Sequence, residues 1–216
     1  ALRAPILFAD QTYRVTDQRF LPDSQRLGIE SLLDGNRFEV ECDLQGIYQR
    51  LNVPTALTAL DVLNGSGGLR IAPQDVRRGF ASAARATGLR GRWERLGERP
   101  FVVCDTGHNE SGIAEVAAQI ARQTYRKLYM VVGFVEDKDL SRVLPLLPRQ
   151  AHYVFTKAGI RRALDERELA RRAAGYGLQG ECVPTVNEAL ARARELAGPD
   201  DMIFIGGSTY VVAEVL

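Results

Sequence analysis

Residues 128–133 read Leu-Tyr-Met-Val-Val-Gly, and the polar stretch Phe-Val-Glu-Asp-Lys-Asp follows at 134–139. A near-continuous apolar run of this length is typical of a strand that is buried on both faces, as in the parallel sheets of α/β proteins. Two shorter runs of the same kind lie at 101–105 and 202–205. The stretch at 128–133 therefore predicts a central strand of a mostly parallel sheet.

Predicted strands and helices alternate from about residue 89 to the end of the chain. Two further strands are expected at 152–156 and 181–183, and helices at 111–123, 140–147, 165–174, 186–197 and 208–216. Each helix has apolar residues three and four positions apart, which gives it one face to bury against a sheet. Buried strands that alternate with such helices predict a three-layer α/β domain with a Rossmann-like sheet.

Before residue 89, the predicted strands come first and the helices follow them. Strands with alternating apolar residues are expected at 6–15, 26–33 and 37–44, separated by short turns, which favours an antiparallel arrangement. One helix follows Asn52, a second is expected at 73–86, and Gly88 is placed to end it. Three strands and two helices are few for an independent core, so we expect residues 1–88 to be part of a larger domain. The opening segment, Ala1 to Pro5, has no initiator Met, which suggests a fragment.

Composition excludes several classes of protein. The formal net charge of the 216 residues is +1, which argues against a protein that binds nucleic acid by electrostatic attraction. The sequence has no signal-peptide pattern, and no apolar run approaches the ~18 residues of a membrane span. The cysteines at 42, 104 and 182 are odd in number and widely spaced, so we expect three buried, reduced thiols in a cytoplasmic protein.

Candidate site residues follow three of the predicted strands. They lie in the segments 105–109, 133–139 and 206–208, and ligands of parallel α/β sheets bind at the carboxyl ends of the strands. Asp105 has the chemistry to accept hydrogen bonds from a ribose diol, and it is equally suited to cap a turn or a helix. His108 is one of two histidines and lies in a loop at a strand end, where a structural and a functional role are equally open.

The other two segments also have two interpretations. Lys138 lies between two aspartates and is either part of a solvated run of charges or a residue that reaches into a cleft. Ser208 follows two glycines and precedes a helix, so it either caps the helix or helps to admit an anion, and the pattern favours the cap. The sequence contains no G-x-x-x-x-G-K-[ST] phosphate loop, no G-x-G-x-x-G fingerprint and no cluster with metal-ligand spacing.

Five segments together resemble the folylpolyglutamate synthase/dihydrofolate synthase family of the Mur ligase superfamily. In chain order they are Gln49-Arg50-Leu51-Asn52, Gly91-Arg92-Trp93, Asp105-Thr106-Gly107-His108-Asn109, Gly133 with Asp137-Lys138-Asp139, and Gly206-Gly207-Ser208. The resemblance covers nearly all of the chain, and its specificity comes from the order and spacing of the segments. Thr106-Gly107 departs mildly from the small residue pair that many members have before the His-Asn.

The resemblance implies an ATP-dependent ligase that transfers the γ-phosphate of ATP to a substrate carboxylate. The amine of glutamate then attacks the acyl phosphate, which gives an amide, ADP and phosphate. Residues 1–88 would be the carboxy-terminal portion of a central ATPase domain, and residues 89–216 the glutamate-ligase domain. The phosphate loop and the Mg²⁺ ligands would belong to an upstream half, so this chain alone is expected to be inactive and to bind ATP weakly.

The resemblance also implies roles for single residues. Asn52 corresponds to the residue that hydrogen-bonds adenine, Arg92 to the arginine that reaches the ATP phosphates, and Asp105 to the carboxylate that holds the ribose. Arg92 and Asp105 are expected to face a cleft, so that replacing either leaves the fold intact. His108 and Lys138 match positions placed with the catalytic machinery and Ser208 one placed with the substrate, with their individual roles open.

Two alternatives remain at the level of sequence. One is another Mur-type amino-acid ligase, and the other is a non-catalytic α/β binding module in which the acidic residues are surface groups. A phosphate loop encoded upstream of Ala1 would favour the ligase. The expected ligands are ATP, glutamate and dihydropteroate or folate, with no nucleic acid and no membrane, and a monomer is expected.

Overall fold

The computed structural model describes residues 6–216, and the segment from Ala1 to Pro5 on which the expectation of a fragment rests lies outside the described residues. The chain divides into two compact units between Leu89 and Arg90, beside the boundary expected near residue 88. Each unit has its own sheet and its own core. No helix among residues 6–216 is long and apolar enough to cross a membrane.

The first unit contains an antiparallel sheet of three strands in the order β1-β2-β3. Its elements are a 3-10 helix (Ala9–Gln11), β1 (Tyr13–Phe20), β2 (Gln25–Ser31), β3 (Arg37–Cys42), α1 (Gln49–Gly65), α2 (Pro73–Ala81) and α3 (Ala83–Thr87). Side chains alternate between the faces of a strand, so the apolar residues of β2 and β3 share one face. That face forms a core with α1, made of Leu27, Ile29, Val40, Cys42, Val53 and Leu57.

Two predictions for this unit are corrected by local hydrogen bonds. The strand expected at 6–15 begins at Tyr13, because the backbone at Ala9–Gln11 forms a 3-10 turn in which the Gln11 amide donates to the Phe8 carbonyl. The helix expected at 73–86 is interrupted at Ser82. The Asp43 carboxylate, far away in sequence, accepts the amides of Ala84 and Arg85 and thereby starts a separate helix, α3.

The second unit contains a sheet of six strands in the order β4-β5-β9-β6-β7-β8. Its strands are β4 (Glu94–Gly97), β5 (Phe101–Cys104), β6 (Leu128–Val132), β7 (His152–Phe155), β8 (Gln179–Cys182) and β9 (Met202–Gly206). Its helices are α4 (Glu110–Ile120), α5 (Glu166–Ala174), α6 (Val186–Leu196) and α7 (Thr209–Ala213). All strand pairs are parallel except β4 with β5. The predicted α/β class and mostly parallel sheet are thus confirmed.

The sheet is covered on both faces, as the apolar run at 128–133 predicts. Successive residues of β6 contribute to two different cores: Met130 packs in one and Val131 in the other. The first core includes the apolar residues of α4 and α5, and the second those of α6 and α7. This three-layer arrangement leaves the carboxyl ends of the strands as the edge where loops can form a site.

Three predictions for this unit need correction. The sequence did not predict β4, whose residues are mostly charged or glycine and which pairs with the edge of the sheet. The helix expected at 140–147 is reduced to a 3-10 turn at Leu144–Leu146, since Pro145 within the segment and Pro148 directly after it lack the amide protons that a longer helix needs. Cys182 is exposed, although all three cysteines were expected to be buried.

Candidate functional site

Three loops at one edge of the second unit bring predicted site residues together. The loops follow β5, β6 and β9, and these strands are neighbours in the order β5-β9-β6, so their carboxyl ends meet. A cleft of about 470 Å³ lies at this edge. It is lined by His108, Val135, Asp137, Lys138, Arg162, Gly207, Ser208, Thr209 and Tyr210. His108, Lys138 and Ser208, which are up to 100 residues apart in sequence, therefore line one cleft.

Ser208 is the cap of α7. Its hydroxyl oxygen accepts hydrogen bonds from the amides of Tyr210 at 3.1 Å and Val211 at 3.3 Å, and the residue is buried. Gly207 before it has a φ of +90°, and a Cβ there would lie 2.9 Å from the Gly133 carbonyl oxygen, so the close approach of two loops requires glycine at this position. The interpretation of Ser208 as a helix cap is confirmed, and the same residue also lines the cleft.

Lys138 lies in a loop that is fixed to its neighbour by backbone hydrogen bonds. The loop after β6 and the loop after β7 are joined at Val135 and Ala163, where they form a β-bridge, and the Glu136 amide donates to the Arg162 carbonyl at 3.0 Å. The Lys138 side chain is half-buried, and its ammonium group has no ion-pair partner among residues 6–216. Lys138 therefore brings a cationic side chain without an ion-pair partner to a cleft that Asp137 also lines, and such a side chain can bind an anion.

Arg162 and Tyr210 were missed by the sequence interpretation. Arg162 Nη2 donates to the Tyr210 hydroxyl at 2.6 Å, and its guanidinium carbon lies 5.1 Å from the centre of the Tyr210 ring. Its other nitrogen, Nη1, is 3.9 Å from a carboxylate oxygen of Asp137. The available signal was an arginine in the loop after a predicted strand, at the same edge as the other loops. Position alone could not distinguish Arg162 from the arginine next to it.

His108 is exposed at the mouth of the cleft. Its Nδ1 lies 3.0 Å from the Thr106 carbonyl oxygen, so in the neutral ring the proton on Nδ1 donates to that carbonyl. This leaves Nε2 as the acceptor. A neutral histidine oriented in this way is suited to accept a proton from a bound group.

The Asp105 side chain does not lie open to a cleft. The residue is 2% exposed, its Oδ2 accepts the Trp93 amide at 2.8 Å, and its Oδ1 accepts the Gly107 amide at 2.7 Å. The expectation that the Asp105 side chain faces a cleft is therefore wrong, and because its replacement would leave the Trp93 and Gly107 amides short of an acceptor, we expect such a change to lower stability. Arg92, by contrast, is half-buried, and its guanidinium donates to the hydroxyl of Thr106.

Asn52 belongs to the first unit, where it lies on the exposed surface of α1 and its side-chain amide donates to Gln49 Oε1 at 3.1 Å. Among residues 6–216, no group of three histidine, cysteine, aspartate or glutamate side chains is placed to hold a metal ion. The described residues therefore offer positive and hydroxyl groups for an anionic ligand, and no cluster for Mg²⁺.

Comparisons with known proteins place this geometry in a family. Residues 91–209 match the family described as "Mur ligase, glutamate ligase domain". The chain is 34% identical over 184 residues to the "Probable bifunctional folylpolyglutamate synthase/dihydropteroate synthase" of Haloferax volcanii, covering 84% of this chain and 21% of that protein.

Solved structures agree in fold. A Mycobacterium tuberculosis folylpolyglutamate synthase complexed with ADP and AMPPCP superposes with a TM-score of 0.80 and 28% identity, covering 95% of this chain and 48% of that one. A bifunctional folylpolyglutamate synthase/dihydrofolate synthase with Mn, AMPPNP and L-glutamate bound gives a TM-score of 0.69 at 22% identity, over 94% of this chain and 46% of that one.

The chain thus spans about half the length of the solved relatives and about a fifth of the Haloferax volcanii protein. The family match extends over the three loops of the cleft up to Thr209, and over Arg92 and Asp105. The resemblance is confirmed: the chain belongs to the Mur ligase family, and its second unit corresponds to the family's glutamate ligase domain.

Proposed function

We propose that this chain is the carboxy-terminal part of an ATP-dependent ligase that joins glutamate to a folate-type acid, and that the cleft of the second unit binds the glutamate. The observation that carries the proposal is the pairing of two cationic side chains, Lys138 and Arg162, with the hydroxyl groups of Ser208 and Tyr210 in one cleft. Ammonium and guanidinium groups beside hydroxyls form the charge-assisted hydrogen bonds that carboxylates accept.

The reaction requires two steps, and the cleft serves the second. In the first, a carboxylate oxygen of the folate-type acid attacks the γ-phosphorus of ATP, giving an acyl phosphate and ADP. In the second, the uncharged amine of glutamate attacks the acyl carbon, the carbon–oxygen bond to phosphate breaks, and an amide and phosphate are released. The amine must lose a proton, and His108 Nε2 is the acceptor at the mouth of the cleft.

The nucleotide contacts rest on the resemblance and on side-chain chemistry. Arg92 would bind the phosphates, and Asn52 would hydrogen-bond the adenine through its amide. The resemblance alone gives the ribose to Asp105, whose two oxygens already accept backbone amides. The resemblance implies that the Mg²⁺ ligands belong to an upstream half. When bound, Mg²⁺ would neutralise charge on the phosphates.

Titration of the chain with L-glutamate, followed by NMR, tests the site. Lys138→Ala and Arg162→Ala should each weaken binding by on the order of 10-fold, the lower end of what a charge-assisted hydrogen bond contributes. L-glutamine should bind more weakly than L-glutamate because it lacks one carboxylate. Arg149→Ala is the matched control, since this exposed arginine precedes β7 at the opposite edge of the sheet.

Two results would contradict the proposal. One is the absence of any shift at the cleft residues at tens of millimolar glutamate, and the other is an equal loss of affinity in the Arg149→Ala control. Preference for an amino acid with a different side chain would favour another Mur-type ligase. Binding of no amino acid at all would favour the non-catalytic module.

A further inference from the structure

A single buried carboxylate joins two segments of the proposed site. Asp105 lies at the end of β5, and its two oxygens accept the amides of Trp93 and Gly107, which are 14 residues apart in sequence. Trp93 directly follows Arg92, and Gly107 directly precedes His108. Arg92 is proposed to act on the nucleotide and His108 on the amine. Each is therefore next in sequence to a residue whose amide donates to Asp105.

Trp93 has a backbone conformation that requires such support. Its φ of 49° is the only positive value among the non-glycine residues in the described part of the chain. A bulky residue is disfavoured in the left-handed region and persists there only where its surroundings fix it. The indole is 6% exposed and packs against Phe204, with ring centres 6.2 Å apart, and the amide is held by Asp105. The side chain and the amide together hold the strained residue in place.

Arg92 is fixed from the other side as well. The Gly91 amide donates to Glu94 Oε2 at 2.7 Å, and the Gly91 carbonyl accepts the Thr106 amide at 3.0 Å. A Cβ on Gly91 would lie 2.8 Å from Thr106 Cγ2, so this tight approach needs glycine. Because both Gly91 and Trp93 are held, the backbone conformation sets the direction in which the Arg92 side chain points.

The geometry points to Asp105 as a positioning residue: it holds the Trp93 conformation that presents Arg92, and through the Gly107 amide it fixes His108 relative to Arg92. The inference rests on the proposed function for what Arg92 and His108 bind, and on the geometry alone for how they are held. It differs from a ribose contact, in which Asp105 would act on the ligand directly.

Amide hydrogen exchange of the 216-residue chain tests the clamp without any ligand. In Asp105→Asn, one oxygen is replaced by an NH2 group that cannot accept, so protection of the Trp93 or the Gly107 amide should fall by on the order of 10-fold or more. Asp201→Asn is the matched control. Asp201 is a buried aspartate at the amino end of β9 that accepts the Gly198 and Lys127 amides.

The two variants should give opposite patterns of local protection. Asp201→Asn should expose the Gly198 and Lys127 amides more than that of Trp93, which also controls for any general loss of stability. Unchanged exchange at both Trp93 and Gly107 in Asp105→Asn would overturn the inference, and so would the same pattern of loss in the two variants.

A double-mutant cycle with ATP distinguishes positioning from a ribose contact. ATP is titrated at millimolar concentration into the parent chain, Arg92→Ala, Asp105→Asn and the double variant. If Asp105 acts through Arg92, Asp105→Asn should weaken binding severalfold in the parent and leave it within about twofold in the Arg92→Ala background. Equal, additive losses in both backgrounds would show a direct ligand contact and contradict the positioning role.

Failure of the proposed function has a different signature. If other residues of the parent chain shift with ATP but Arg92 does not, while the exchange pattern is as expected, the clamp exists and the assignment of Arg92 to the nucleotide is wrong. If ATP binds but the Trp93 and Gly107 amides exchange equally in parent and variant, the nucleotide assignment stands and the positioning role does not.

Discussion

Replacing Asp201 by Asn should destabilise the second unit strongly, whereas the same change at the adjacent Asp200 should not. The Asp201 side chain is 0% exposed and accepts four hydrogen bonds: from Arg126 at 3.0 and 3.2 Å, from the Lys127 amide at 3.1 Å and from the Gly198 amide at 2.8 Å. The Asp200 carboxylate is 76% exposed and pairs with Arg99, which is 70% exposed.

The expected difference follows from these contacts. Hydrogen bonds to a charged group contribute about 1.5–3 kcal/mol each, and an Asn side chain keeps one accepting oxygen for the two buried amides. Arg126 is 65% exposed, so water solvates it once the ion pair is lost. We therefore expect Asp201→Asn to lower the free energy of unfolding by about 2–3 kcal/mol. Asp200→Asn should lower it by no more than about 1 kcal/mol, as for other exposed ion pairs.

The pH dependence gives a second, independent check. Hydrogen bonds from Arg126 hold the pKa of the Asp201 carboxyl below its usual value, against the opposing effect of burial. The stabilisation is complete above the unfolded-state pKa of about 3.9 and is lost as the pH falls through the lower folded-state pKa. The gap between parent and Asp201→Asn should therefore be constant from about pH 7 to 5 and should narrow below about pH 4.

Urea unfolding followed by the fluorescence of Trp93 measures both effects, because the single tryptophan lies buried in the second unit. A change of less than about 0.5 kcal/mol in Asp201→Asn would refute the reasoning, since that is the scale of surface substitutions. A gap that widens as the pH falls from 5 to 3 would contradict the assigned direction of the pKa shift.

Two further predictions concern single side chains. Gly180→Ala should destabilise the second unit by at least about 3 kcal/mol in urea unfolding, because the added Cβ would lie 1.8 Å from the Tyr153 carbonyl oxygen and separate β8 from β7. Gly79→Ala on α2 should instead stabilise the first unit by up to about 1 kcal/mol, because nothing lies within 4 Å of the added Cβ. Native labelling with a maleimide, read by mass spectrometry, should modify the exposed Cys182 first, and Cys104 only on unfolding, since burial raises its pKa to about 12; equal labelling of the two would contradict this.

The cleft of the second unit shows why sequence position can find a site without finding all of its residues. His108, Lys138 and Ser208 each follow a predicted strand within a few positions, and the strand ends of a parallel sheet share one edge. Arg162 enters the cleft because the loop after β7 is joined to the loop after β6 by a β-bridge. That pairing is made by backbone groups, which leave no pattern in the side chains.

The sequence by itself determined the class and layering of the second unit. The run at 128–133 has no charged residue on either face, which favours burial between two layers of helices, and glycines after the strands allowed the loops to approach one another. Such local patterns are sufficient because the periods of strands and helices are properties of the backbone.

The tertiary structure alone decided which donors two of the carboxylates bind. Asp105 has the chemistry of a ribose ligand, yet it accepts the amides of Gly107 and Trp93. Trp93 lies next to the end of β5 because β4, which follows it, pairs with β5. Asp43 divides a continuous helical pattern into α2 and α3 by capping amides about 40 residues away. The physical reason is the same in both cases: a carboxylate binds the donors that the fold brings to it, and that geometry is not encoded within a local window of sequence.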